Sequence, residues 1–180
     1  MRLAAIACRV FTRELSAAVA KCAHPVEVSW LPQGLHDTPD LLRARINATI
    51  DAIERVDAEA PARRRLDAIV LCYGLCGGGL DGVRAGRLPL VVPRADDCIG
   101  ILLGSQKRYL DYLAARAGIY WYTPGWIEYA DTPSRVYYDA KLRDYTARFG
   151  AENAQWLLEQ ENTWIGAYES GIYIAPPACP

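Results

Sequence analysis

The run LDAIVLC (Leu66 to Cys72), followed at once by YGLCGGGLDG (Tyr73 to Gly82), decides how the chain is read. An apolar run of that length, rich in Ile, Val and Leu, is what a strand buried on both faces of a parallel sheet looks like. The glycine-rich segment after it cannot extend the strand. It reads as a turn in which the backbone bends sharply or comes close to a bound group.

Elements on both sides fit a βαβ pattern. Upstream, LAAIAC (Leu3 to Cys8) predicts a first buried strand. A helix is expected over Thr12 to Ala23, with Leu15, Val19 and Cys22 as its apolar stripe, and Pro25 ends it. VEVSWL (Val26 to Leu31) predicts the second strand, and a loop with His36 and Asp37 follows. Thr38 reads as the cap of a long helix, with Pro39 in its first position and Leu42, Ile46, Ile50 and Ile53 on one face. A polar linker from Asp57 to Arg65 leads into the deciding strand. Its run Arg63-Arg64-Arg65 reads as a solvated loop rather than a nucleic-acid patch.

Downstream, LPLVV (Leu88 to Val92) predicts a fourth strand. A short helix is expected from Cys98 to Leu102 and another from Ser105 to Ala117, with Tyr109, Leu110 and Leu113 on one face. IYWY (Ile119 to Tyr122) predicts a fifth strand, closed by a turn at Thr123, Pro124 and Gly125. Two helices (Ser134 to Phe149, Ala151 to Gln160) and a strand (Tyr168 to Ile174) complete the expectation. The fold class is therefore α/β: a Rossmann-like parallel sheet flanked by helices, with a helical, aromatic-rich last third. It is read as one domain, with residues 1–125 as the parallel βα core and 126–180 as a helical extension and final strand. The ending APPACP is a loop rather than a completed βα unit, so the chain reads as a fragment or a shortened version of the fold.

The net charge of −1 gives no electrostatic case for nucleic acid or an anionic membrane as partner. No stretch approaches the roughly 18 apolar residues that a membrane span requires. The first apolar run is broken too early, by Arg9 to Glu14, for a secretory leader, so a cytoplasmic location is expected. In a reducing compartment, six cysteines mean packing, metal binding or redox chemistry.

Cys8, His36, Cys76 and Cys98 each follow a predicted strand. In a parallel sheet all strand ends open on one edge, where ligands bind. Three thiols and an imidazole meeting there would suit zinc, whereas three cysteines with an open position would suit a [4Fe–4S] cluster. Cys76 lies among glycines, where packing explains it poorly. Cys98 begins a helix, which favours a thiolate, although Asp96 and Asp97 oppose that by charge. Cys22 and Cys72 are assigned to the core, and Cys179 is left out of the site. Gly77, Gly78 and Asp81 in the loop, together with Trp126, are the expected substrate contacts. The aromatic segment from Tyr120 to Tyr129 reads as a covered strand edge or as a wall for a flat or methylated ligand. Neither CxxC, HExxH nor an Fe–S run occurs, no G-x-S-x-G accompanies the two histidines, and the glycine loop lacks the Lys-Ser/Thr of a P-loop.

Five blocks carry a likeness: IAC ending at Cys8, LHDTP around His36, YGLCGGGLDG, LPLVVPRADDC ending at Cys98, and YWYTPGWIE from Tyr120. Together they resemble the uncharacterised domain-of-unknown-function family 1638, over residues 2–173. The resemblance implies Cys8, Cys76 and Cys98 as recurring cysteines. It also implies an association, by gene neighbourhood, with corrinoid-dependent methyl transfer. Where other members carry a histidine before the last cysteine, this chain has Asp96 and Asp97, so either becomes a candidate ligand or supporting group. The resemblance further implies that members continue past the point where this chain ends.

The expectation is a metal-binding protein with ligands Cys8, Cys76, Cys98 and His36, zinc ahead of [4Fe–4S]. It would act on a small-molecule substrate, as a methyltransferase-like enzyme working with a corrinoid protein or methyltransferase. The alternatives are a non-catalytic accessory or metal-delivery protein, and a nucleotide-type binder using the glycine loop.

Overall fold

The structure is a computed structural model that describes residues 1–175. Cys179 lies outside the described residues.

A four-stranded, all-parallel sheet is built from β1 (Leu3–Cys8), β2 (Val26–Leu31), β3 (Ala68–Cys72) and β4 (Leu90–Val91), in the order β2-β1-β3-β4. The central pair is the most apolar, and β1 is buried along nearly its whole length. Register is simple: Cys8 is level with Leu31, and Ala7 with Cys72. Side chains alternate between faces along each strand. Ala4, Ile6 and Cys8 of β1 therefore share one face with Ile69, Leu71 and Tyr73, and all six belong to one core.

Helices α1 (Thr12–Lys21) and α2 (Pro39–Glu59) connect the first three strands. Leu42, Ile46 and Ile50 of α2 are buried in that same core. Each such side chain contributes about 1.5–3 kcal/mol by leaving water. Near its far end, α2 offers two carboxylates to main-chain N–H groups. Asp57 accepts from Leu66 N at 2.6 Å and pairs with Arg87, and Glu54 accepts from Leu88 N at 2.7 Å. These bonds hold the starts of β3 and β4 against the helix.

After β4 come α3 (Cys98–Leu102), α4 (Gln106–Ala115), β5 (Ile119–Tyr122), α5 (Pro124–Tyr129), α6 (Arg135–Phe149), α7 (Ala151–Glu161) and β6 (Ser170–Tyr173). The α/β class with a parallel sheet, flanking helices and a helical, aromatic last third is as expected. Several details differ. β5 does not extend the main sheet but pairs in parallel with β6 alone. Pro124 and Gly125, expected in a turn with Thr123, instead begin the helix α5: Thr123 Oγ1 accepts from Trp126 N at 3.0 Å, and Pro124 occupies the first turn, where its missing N–H is harmless. The Thr38 side chain makes no capping bond, so Pro39 and the acidic Asp40 in the first turn favour that helix start. Cys22, expected in the core, lies past the end of α1 and is exposed. β4 keeps only the middle of the expected run. Among the described residues no helix is long and apolar enough to cross a membrane.

Helix α5 lies directly on the turn Arg9–Phe11 that follows β1. Gly125 makes this possible, since a Cβ there would run into the Val10 carbonyl. Arg13 Nε donates to Glu128 at 2.7 Å, and the Arg9 guanidinium sits 5.5 Å from the Tyr129 ring centre. Gly125→Ala should therefore lift α5 off the turn and cost about 1–3 kcal/mol, the usual range for overpacking. A urea melt should show a lower midpoint, and an unchanged one would mean α5 is not seated as described.

Candidate functional site

Strand β1 turns back through α1 to β2 on one side, while β3 continues to β4 on the other. The crevice between the ends of β1 and β3 is thus the point where the winding reverses, the usual ligand position in open α/β sheets. A cavity of about 420 Å³ opens there.

Its floor comes from the strand ends. Cys8 is the last residue of β1 and is 8% exposed. Tyr73 directly follows β3 on the same sheet face and is 3% exposed. Cys76 sits in a tight turn, with φ of 47°, followed by Gly77 at 62° and Gly78 at 89°. Three successive left-handed residues suit the glycines, whereas Cys76 is the one non-glycine with positive φ among the described residues. Two main-chain bonds tie this turn to the segment before α3: Leu75 N donates to Ala95 O and Cys76 N to Asp96 O, both at 2.9 Å. Gly74 allows that approach, because a Cβ there would strike the Asp97 backbone. Cys98, the first residue of α3, is carried to the same cavity by this link.

The wall comes from the second sheet and α5. Trp126 projects from the first turn of α5, and its Nε1 donates to Tyr120 Oη at 3.0 Å. Tyr120, Trp121 and Tyr168 also line the cavity. His36 stands at the rim in the turn Leu35–Asp37, with Nε2 at 3.3 Å from Asp37 and its ring 6.4 Å from that of Trp126.

The structure thus brings Cys8, His36, Cys76, Cys98, Gly77 and Trp126 to one cavity. Asp81 lies elsewhere, beside Arg43 and Arg84 in a polar hollow on α2. Gly78 completes the Cys76 turn without lining the cavity. Asp97 lines it but is already engaged. Its Oδ1 caps α3 by accepting from Ile99 N at 2.9 Å and Gly100 N at 3.2 Å, and its Oδ2 accepts from Tyr109 Oη at 2.7 Å. Asp96 is exposed and paired with Gln106 at 2.7 Å. Both aspartates therefore serve local structure in this arrangement. Cys72 sits one step before the edge, partly buried against the core.

Burial dominates the electrostatics. It pushes all three thiols up, Cys8 and Cys98 in direction and Cys76 to about 11. At Cys98 the Asp97 charge adds to burial. The expectation that a helix start would favour its thiolate is thus reversed, since α3 is only five residues long and an acid caps it. Among the described residues, no group of three or more His, Cys, Asp or Glu side chains stands ready to hold a metal ion. The thiols share a cavity but are not gathered onto one point.

The DUF1638 family, described as a protein of unknown function, matches residues 30–178. The chain belongs to this family. The match starts after β1, so Cys8 falls outside it, and the likeness is shorter at that end than the five blocks suggest. No curated protein and no solved structure matches the chain. Within the DUF1638 match lie His36, Tyr73, Cys76, Cys98 and the whole aromatic wall.

Two cavity residues escape a reading based on soft ligands: Tyr73 and Tyr109. For Tyr73 the period-two run Ile69, Leu71, Tyr73 was the available signal, since it places the phenol on the core face. Tyr109 was legible only as part of a helical stripe.

With a thiol shifted to about 11, metal-free Cys76 is protonated at neutral pH. Its alkylation by iodoacetamide should rise about tenfold per pH unit from pH 7 to 10, because only the thiolate reacts. Peptide mapping by mass spectrometry would follow it, with exposed Cys22 reacting far faster at pH 7. A Cys76 rate already level at pH 8 would contradict the burial described.

Proposed function

We propose that this cleft is a soft-metal site with Cys8, Cys76 and Cys98 as ligands and His36 as the fourth position, serving a small-molecule substrate that lies against Trp126. The observation supporting it is that three thiols, from the end of β1, the turn after β3 and the start of α3, line one cavity. Thiols and an imidazole fit zinc, and three cysteines with an open position fit a [4Fe–4S] cluster. Bound zinc would supply Lewis-acid activation of a thiol or methyl acceptor.

The side chains must give up protons and draw together when an ion enters. Cys8 sits at a strand end, Cys98 at the start of a capped helix and Cys76 in a turn bonded to Asp96 O, so rotation of the side chains, not of the backbone, would draw the sulfurs together. The resemblance that implies corrinoid-dependent methyl transfer supports a methyltransferase-like role in the cytoplasm, with a corrinoid protein or methyltransferase as partner. The glycine loop suits a nucleotide phosphate less well, as none of the described residues lining the cleft is Lys or Arg.

A second reading, an accessory protein that passes a metal ion on, draws support from the ungathered thiols. A site that must close around its ion holds it less tightly than a preformed one.

Anaerobically purified protein should contain zinc by elemental analysis, or iron with a visible cluster absorption band. Cys76→Ser should lower metal affinity by more than the roughly 10–100-fold that loss of an outer-shell partner costs, while Cys22→Ser leaves it unchanged. Absence of both metals, or an unchanged stoichiometry in Cys76→Ser, would refute the site. Fast loss of the ion to a competing chelator would favour delivery over catalysis.

A further inference from the structure

A second, smaller hollow lies on the β5–β6 sheet and contains none of the cleft's cysteines. Its volume is about 230 Å³. Tyr120 and Tyr122 reach it from one face of β5, since side chains two apart point the same way. Trp164, from the turn Thr163–Ala167, and Tyr168 complete the aromatic lining. Tyr168 stands nearly perpendicular to both Tyr120 and Trp164, at 86° and 87°, with ring centres 5.1 and 5.8 Å apart. Gly171 of β6 lets the Tyr122 ring lie close, because a Cβ there would come within 3.1 Å of it. The rim carries Glu169, placed by its main-chain N–H, which donates to Gly118 O at 2.7 Å.

The patch is open to solvent: Trp164 is 40% exposed and Tyr168 41%. Large aromatic side chains grouped at a surface mark a contact site. Among the described residues the Glu169 carboxylate has neither an ion pair nor a hydrogen bond. No described lining residue is Lys or Arg. Aromatic ring faces are negative, as is Glu169, so the hollow attracts a cation and repels an anion. A lysine ammonium is strongly hydrated and would keep its water at so open a site. A guanidinium is planar and weakly hydrated. It can lie along an aromatic ring while its fork of N–H groups donates to a carboxylate. The volume falls below the roughly 300 Å³ at which small-molecule pockets begin, so the end of one side chain fits better than a whole metabolite.

We infer that this hollow is a docking site for an arginine side chain of a partner protein, whose guanidinium lies among Tyr120, Trp164 and Tyr168 and pairs with Glu169. Arginine, tryptophan and tyrosine dominate the energetics of protein interfaces, and such anchors tend to pair across them. The site is separate from the cleft and holds whether or not the cleft takes a metal. The two are joined at Tyr120, which lines both and accepts from Trp126 Nε1. A docked partner would therefore sit beside the cleft rather than in it.

Three tripeptides blocked at both ends test this, with arginine, lysine or citrulline between two glycines. Citrulline keeps the shape of arginine and loses its charge. Binding to the full chain is read from the indole N–H NMR signal of Trp164, assigned by its loss in Trp164→Phe. The arginine peptide should bind in the millimolar range, about fivefold more tightly than the lysine or citrulline peptide. Glu169→Gln should weaken the arginine peptide about fivefold and leave citrulline unchanged. Glu169 is exposed, so this variant should keep the parent melting curve and separate loss of docking from loss of fold. Trp164→Ala should weaken the arginine peptide as well. Equal binding of the arginine and citrulline peptides, unaltered affinity in Glu169→Gln, or no movement of the Trp164 signal at millimolar peptide would overturn the inference. Free arginine should bind no better than the blocked peptide. Tighter binding of the free amino acid would replace the partner by a small metabolite and overturn the docking reading.

Discussion

The parallel register of β1 between β2 and β3 is the constraint on which the cleft depends. Because these strands run the same way and are level, their ends reach the sheet edge together. Cys8 and Tyr73 emerge side by side on one face, and the turn carrying Cys76 begins just beyond. A slip of one residue in either pairing would turn Cys8 or Tyr73 to the opposite face, because side-chain direction alternates at every step. The α2 core face enforces the register, since Ile6, Ile69 and Leu71 must meet Leu42, Ile46 and Ile50 to be buried.

A second layer of control is the backbone link between the Cys76 turn and the start of α3. Only two main-chain hydrogen bonds and the bare Cα of Gly74 are needed to bring residues 76 and 98 into one cavity. The aromatic wall touches this link through Tyr109, which donates to Asp97 and packs edge-on against Trp121. It comes from β5 and α5, and is also attached through Gly125 and the Arg13–Glu128 pair to α1 and the turn after β1. Both parts thus contribute lining to one cavity.

The core of the fold was legible because its signals are strong and local. The apolar runs at β1 and β3, the alternation at β2 and the four-residue stripe of α2 each have one plausible home. What was not legible depended on partners far away in the chain. IYWY is as good a strand beside β4 as beside β6, and only packing decides between them. Pro124-Gly125 looks like a turn until the Val10 carbonyl is seen to require a glycine in a helix. Cys22 fits a helical stripe by spacing, but the helix ends one residue too early to bury it. For the site, convergence of Cys8, His36, Cys76 and Cys98 followed from topology alone. The commitment of Asp97 to its cap and to Tyr109 required side-chain geometry that no pattern of residue types carries.

The left-handed conformation of Cys76 has an implication for how the position would respond to selection. The chain already has three glycines directly after it, and a fourth would relieve a strain of about 1–2 kcal/mol. Glycine at 76 is thus a thermal gain that removes a sulfur. Directed evolution of this chain for heat resistance alone, with no demand on activity, would be drawn to that replacement. The position marks where the sturdiest version of the molecule and the chemically equipped one part ways.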